Sequence, residues 1–248
     1  MSAIASNLDT GSPVAAPSDT ALSARARRLA MQHSSADALE ILRVAIKEEF
    51  SGKIALVSSF GAESAALLHL VALIDKDIPV VFLETGKHFA QTVSYRKKLA
   101  ANLGLTNVRD IAPDAAVLGS RDPQGDLWKR DADACCTLRK VEPLGAALEE
   151  FDAWITGRKQ FHGGGRINLP AFEASETHIK VNPLIRWSKE AIGDYFTEND
   201  LPAHPLTTQG YPSIGCWPCT HPARADDDVR AGRWRGAAKT ECGIHGIG

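Results

Sequence analysis

The sequence has little of what would carry a chain out of the cell or into a membrane. No run approaches the roughly 18 consecutive apolar residues that a spanning helix needs. The first residues, MSAIASNLDTGSPVAAPSDT, have neither a basic start nor an apolar block, so no secretory signal is expected and the reading is cytoplasmic. A surplus of either charge is missing as well: 28 Lys and Arg stand against 30 Asp and Glu, and the net charge of −2 offers no global basic surface to nucleic acid. There is no internal repeat, which excludes solenoids. Cysteines number only 5, an odd count that argues against a secreted disulfide framework. What is present, 44% hydrophobic and 23% charged residues in a chain of 248, is ordinary for a globular protein of one large or two small domains. Five cysteines in a reduced compartment suggest metal or thiol chemistry.

The hydrophobic pattern alternates between helix and strand in the manner of a parallel α/β sheet. From Ser35, the spacing of Ala38, Ile41, Leu42, Ala45 and Ile46 predicts a helix with one apolar face. Ile54–Val57 reads as a short buried strand, residues 62–74 as a helix, 78–83 as a strand, 88–103 as a helix and 108–111 as a weaker strand. A helix is expected over about 135–151, kinked near Pro143, and Trp154-Ile155-Thr156 is read as the last strand. Ser188 should cap a further helix through Asn199. Beyond Leu201 the regular pattern fades into prolines, glycines and a charged tail.

Two loops at strand ends could hold a nucleotide. Val57-Ser58-Ser59-Phe60-Gly61-Ala62-Glu63-Ser64 joins a strand to a helix, and its small residues let backbone N–H groups approach a phosphate. It is not a Walker loop, because no Gly-Lys-Ser/Thr follows. Leu83-Glu84-Thr85-Gly86 lies at the next strand end, where ligands of open α/β sheets bind. Alone, the first segment reads better as an ordinary strand-to-helix turn, and the second is equally a turn with a capping Thr. Together, on adjacent strands, they make a cleft credible.

The cysteines carry more. Cys135-Cys136 is an adjacent pair and Cys216-Trp217-Pro218-Cys219 a C-x-x-C pair, both in Gly, Pro and charge-rich surroundings that do not suit inert buried thiols. Two local pairs suit a tetrahedral metal or an iron–sulfur cluster; a redox C-x-x-C fits less well, because thioredoxin-like pairs open a helix after a strand and this one follows Gly215 in a Pro-rich loop. Adjacent cysteines converge poorly on one small ion, which leans the reading toward the cluster, with zinc still open. Cys242 stands alone in Lys239-Thr240-Glu241-Cys242-Gly243-Ile244-His245, and its cationic neighbours favour the attacking thiolate. Arg230, Arg233, Arg235 and Lys239 give the tail a basic face, and Arg158, Lys159 and Arg166 do the same for the loop after Thr156-Gly157; such forks pair with phosphate or sulfate oxygens. The run Asp226-Asp227-Asp228 is a solvated face.

These residues resemble the assimilatory adenylyl-sulfate reductases, the iron–sulfur branch of a family shared with 3′-phosphoadenylyl-sulfate reductases. The match runs through Ser58–Ser64, Leu83–Gly86, Cys135-Cys136 with Arg139-Lys140, Thr156-Gly157, Cys216 and Cys219, and Glu241–His245, covering about residues 35–248. The resemblance implies a Rossmann-like adenine nucleotide α-hydrolase fold, a mostly parallel sheet flanked by helices with an irregular C-terminal tail. It divides the chain into a disordered lead-in at 1–34, a nucleotide-binding domain with the cluster site at 35–220, and a mobile catalytic tail at 221–248. It implies one 4Fe–4S cluster on Cys135, Cys136, Cys216 and Cys219. Ser58, Gly61, Glu63, Leu83, Thr85 and Gly86 would line the nucleotide site, and Lys140, Arg166, Arg230 and Arg233 would surround a phosphosulfate. Cys242 would be the nucleophile, with thioredoxin or glutaredoxin as the reductant. Neither nucleic acid nor membrane is an expected partner, and homo-oligomerisation is left open. The rival readings are a PP-loop ATP pyrophosphatase of the tRNA thiolase kind and a zinc-stapled nucleotide-binding module. In this chain Ser59-Phe60-Gly61-Ala62-Glu63-Ser64 replaces the Ser-Gly-Gly-x-Asp-Ser loop of the former.

Overall fold

Six short strands make one sheet: β1 (Ile54–Val57), β2 (Val80–Leu83), β3 (Val108–Ile111), β4 (Ala153–Ile155), β5 (Phe172–Ala174) and β6 (Ile179–Val181). The computed structural model describes residues 20–163, 166–224, 226–235, 239 and 241–246. The spatial order is β3-β2-β1-β4-β6-β5, parallel throughout except for the edge pair β5–β6. The helices are α1 (Ala21–Gln32), α2 (Ala38–Arg43), α3 (Ser64–Ala72), α4 (Ala90–Leu103), α5 (Ala115–Arg121), α6 (Leu127–Arg130), α7 (Ala132–Cys136), α8 (Glu142–Leu148) and α9 (Lys189–Glu198). This is the α/β architecture the sequence implies.

The sheet is buried on both faces, which is why its central strands read as unbroken apolar runs. Leu56, Phe82 and Ile155 pack into one core with α2, α3 and α4, while Ala55, Val81 and Trp154 face the other way onto Leu144 and Leu148 of α8. That alternation is the period-2 signature of a strand sandwiched between helix layers. The strand order reverses direction at β1, so the loops leaving β1 and β4 part to opposite sides and open a crevice at their C-terminal ends. The site is built there.

Four expectations need correction. The lead-in assigned to 1–34 is too long: Thr20 caps α1 by accepting from the Ser23 N–H at 3.1 Å, and Ala26 and Leu29 are buried as α1 lies along β5. Residues 1–19 lie outside the described part of the chain. The helix read from Ser35 starts after Asp37, whose carboxylate caps Glu40 N at 2.8 Å, and passes into π-helical winding over Val44–Glu49. Its five spaced apolar residues are all buried. The helix expected over about 135–151, interrupted or kinked near Pro143, runs without a break from Ala132 to Leu148 and changes its winding as expected: α7 passes into a π-helical stretch, Thr137–Val141, just before Pro143, and then into α8, so only its bounds shift. The sheet also continues past Thr156 into β5 and β6, two strands of only 3 residues each.

Candidate functional site

The loop after β1 is shaped by one residue in an unfavourable conformation. Phe60 has φ +48° and is fully buried, edge-on to Phe82 with ring centroids 5.7 Å apart. A left-handed residue costs about 1–2 kcal/mol, whereas burying a phenylalanine gains about 1.5–3 kcal/mol, so packing wins. Ser58 Oγ accepts from Phe60 N at 3.2 Å and tightens the same turn. A Cβ on Gly61 would come within 3.3 Å of the Ile214 carbonyl, so the loop of 212–216 closes over it. No described side chain caps α3, which leaves its first-turn N–H groups available to an anion.

Glu63, at the mouth of that helix, is paired with Lys159 Nζ at 2.7 Å and lies 3.2 Å from His162 Nε2. Burial would raise its pKa, but His162 and Lys159 outweigh burial and bring it down to about 2. Lys159 and Arg158 both leave the end of β4. Lys159 also donates to the Gly157 carbonyl at 3.1 Å, and Arg158 is held by Asn182 at 3.1 Å and by an ion pair to Glu173.

One cavity of about 230 Å³ joins these loops. Of the sequence-predicted residues, Ser58, Gly61, Glu63, Leu83, Lys140, Arg166, Arg230, Arg233 and Cys242 all line it. Thr85 and Gly86 do not. Glu84 accepts from Gly86 N at 2.8 Å, Gly86 takes φ +65°, and the resulting turn aims the Thr85 hydroxyl at Cys216 Sγ, 3.4 Å away. The Leu-Glu-Thr-Gly motif therefore divides its work: Leu83 faces the cavity and Thr85 faces the cysteines.

Those cysteines meet. Cys135, Cys136, Cys216 and Cys219 border a second cavity of about 10 Å³ together with Lys140, Arg139 and Trp234, and none of the five cysteines is in a disulfide. The C-x-x-C loop is stitched to the β2 loop by Trp217 N donating to the Lys87 carbonyl at 2.8 Å and by a bridge between His88 and Cys216. Asp131 caps α7 and so fixes the end of the helix that carries Cys135-Cys136. Arg139, buried, donates to the Thr85 carbonyl and to Asp122 Oδ2, both at 2.7 Å, which ties that helix to the same loop. Burial pushes the Cys135 and Cys219 thiols up, and Cys136 to about 11. Four thiols from two distant segments line one small space, and four sulfur donors are the chemistry of a thiolate-ligated metal group.

Lys140 and Cys216 border both cavities. Burial would lower the Lys140 pKa, but the surrounding Cys216, Cys242 and Cys136 sulfurs raise it, so the ammonium charge is secured between the cysteines and the larger cavity. Gly215, to which sequence reasoning gave no role in binding, keeps Arg233 on the cavity wall: a Cβ there would sit 2.6 Å from the guanidinium carbon. Gly215→Ala is expected to displace Arg233 and raise the KM for an anionic substrate about tenfold, the loss of roughly one charged hydrogen bond. Steady-state kinetics check it, and an unchanged KM would show that Arg233 does not grip substrate.

The tail lies against the cavity. Lys180 Nζ donates to the His245 carbonyl at 2.7 Å, and the His245 ring stacks on Trp154 at 5.8 Å with planes 3° apart. Burial, then Arg158, Arg166, Lys180 and Arg230, hold His245 well below the usual histidine pKa, so it is neutral at pH 7 and is not the cationic neighbour of Cys242 that the sequence reading expected, which leaves Lys239 in that role. Glu241 pairs with Arg166 and Arg230. Glu241 and His245 lie in the tail motif that the sequence already showed, though no contact could be read for either; nothing in the sequence tied Gly215 to Arg233. Among the described residues, no helix is long and apolar enough to cross a membrane.

A model of the phosphoadenosine phosphosulfate reductase domain matches residues 53–222. The adenosine 5′-phosphosulfate reductase of Mesorhizobium japonicum is 48% identical over 227 residues, 92% of this chain and 89% of that protein. The adenosine 5′-phosphosulfate reductase 1 of Bacillus subtilis is 39% identical across 84% of this chain and 90% of its own length. Among solved structures, the phosphoadenylyl-sulfate reductase of Candida auris, in a phosphate complex, is similar at a TM-score of 0.66 and 28% identity, covering 79% of this chain and 96% of that one.

Proposed function

The chain belongs to the phosphoadenosine phosphosulfate reductase domain family, oxidoreductases acting on sulfur groups, and from that premise we propose that it reduces adenylyl sulfate to sulfite and AMP in sulfate assimilation. The observation that carries this reading is the shared wall of one cavity, where Cys242 stands with Lys140, Arg166, Arg230 and Arg233 and with the loops after β1, β2 and β4.

The Cys242 thiolate attacks the sulfur of the phosphosulfate. The bond from that sulfur to the bridging oxygen breaks, AMP leaves with the electron pair, and Cys242 carries a sulfonate. Lys140, Arg166, Arg230 and Arg233 neutralise the anion before a second negative group approaches it. AMP phosphate is a weak base, so its departure needs no strong general acid. A dithiol protein of the thioredoxin or glutaredoxin kind then attacks the Cys242 sulfur. Sulfite leaves, a mixed disulfide forms, and the second thiol of the partner resolves it and restores Cys242. The dithiol supplies both electrons, which suits a reducing cytoplasmic setting. Cys135, Cys136, Cys216 and Cys219 would hold one 4Fe–4S cluster, whose contribution when bound is a fixed charge and a structural staple beside Lys140. Sulfite release from adenylyl sulfate with a dithiol donor tests the whole reading; ATP cleavage to AMP and pyrophosphate without sulfite would overturn it.

The same site should prefer adenylyl sulfate to its 3′-phosphorylated relative. Two cations beyond the phosphosulfate set, Arg158 and Lys159, are engaged by Glu173 and Glu63 and are not available to a second phosphate without breaking an ion pair. An extra phosphate left poorly paired costs several kcal/mol, or about two decades in kcat/KM. Kinetics on both compounds with one dithiol donor are expected to give that ratio, and parity would refute it.

A further inference from the structure

Glu241 stands next to Cys242 in the chain, and its carboxylate is engaged by two arginines. Its Oε1 accepts from Arg166 Nε at 2.9 Å and Nη2 at 2.6 Å, and its Oε2 lies 3.3 Å from Arg230 Nη2. Both arginines and Glu241 itself are on the wall of the large cavity. Three contacts to two guanidiniums make a fork of the kind these side chains form with phosphate or sulfate oxygens. The carboxylate therefore sits on the cations that the proposed reaction assigns to the phosphosulfate, and the two anions compete for the same donors.

We propose that Glu241 is an internal stand-in for the substrate anion. It holds Arg166 and Arg230 in their binding orientation while the site is empty and is displaced from them when the phosphosulfate enters. This rests on the functional reading above. The exchange does not free the tail, because the tail has other anchors: Lys180 on the His245 carbonyl, the His245 ring on Trp154, and Lys239 paired with Asp133. Cys242 therefore stays at the cavity while its neighbour changes partners. As AMP departs, the same carboxylate competes for the two arginines and recaptures them, which lowers the enzyme's hold on that anionic product. Glu241 is a positioning residue that sets affinity; it touches none of the reacting atoms.

Calorimetric titration of the intact protein with AMP and with adenosine tests this without turnover. Glu241→Gln keeps an oxygen to orient the guanidiniums but removes the competing charge. It is expected to bind AMP about tenfold more tightly, worth about 1.4 kcal/mol, and adenosine with unchanged affinity. Glu241→Asp retains the charge and should stay near wild type. In turnover, Glu241→Gln should lower KM more than it changes kcat. Unchanged or weaker AMP binding by Glu241→Gln, beside normal binding by the wild type, would overturn the stand-in and leave the functional reading intact. Failure of the wild type to bind AMP at all would overturn the reading together with the inference.

Discussion

Cys242→Ser is expected to reduce sulfite formation roughly 10⁴-fold or more while leaving the iron content unchanged, because a serine hydroxyl is a far weaker nucleophile at neutral pH than a thiolate. The structure separates the two kinds of cysteine. Cys242 borders the large cavity with Arg166, Arg230 and Arg233, whereas Cys135, Cys136 and Cys219 border the small one only. Cys216 is on both walls, so it is the one rival for the role of sulfur carrier. It is buried, however, and its sulfur is already within 3.4 Å of the Thr85 hydroxyl. Incubation with adenylyl sulfate and no reductant should add one sulfonate, mapped by mass spectrometry to the peptide that contains Cys242. An adduct on Cys216, or an adduct that persists in Cys242→Ser, would defeat the assignment.

The legible part of this site was the part carried by unusual residue types. Paired cysteines and a cysteine flanked by charge are rare enough that their positions spoke without coordinates, and the two central strands announced themselves as apolar runs. Illegible features were those decided by contacts between distant segments. Thr85 reads as a nucleotide-loop residue, yet a turn closed by Glu84 on Gly86 turns it to Cys216. Lys159 reads as a candidate phosphate ligand until Glu63, from the other side of the crevice, engages it. Strands β5 and β6 were missed because segments of 3 residues show too little alternation for periodicity to register. Helix α1 was missed for a different reason: it carries Arg25, Arg27 and Arg28 and buries only Ala26 and Leu29, so its apolar stripe is narrow. Tertiary packing on β5, more than the stripe itself, accounts for that helix.

Cys216→Ser should strip the protein of iron and lower its stability together. Cys216 is the cysteine on which most of the local architecture converges. Its carbonyl accepts from Thr220 Oγ1 at 2.8 Å and from Cys219 N at 3.0 Å, its sulfur meets Thr85, and it bridges to His88. Without a metal group, burial keeps the Cys135, Cys136 and Cys219 thiols protonated, and three neutral thiols around a cavity of about 10 Å³ offer little cohesion. Ligation would replace them by thiolates bound to a common centre, so its binding free energy adds to folding. If loss of one ligand removes about 3–5 kcal/mol, a chain of this size should melt about 10 °C lower. Iron and sulfide assays, the visible absorption of anaerobically purified protein and calorimetric melting would be read on wild type and variant side by side. A serine could retain the backbone turn, since Thr220 and Cys219 address the carbonyl and not the sulfur, so a drop in Tm without loss of iron would point to packing alone. Full iron loading in the variant would sink the four-cysteine assignment, and a colourless wild type with stoichiometric zinc would replace the cluster by a single ion.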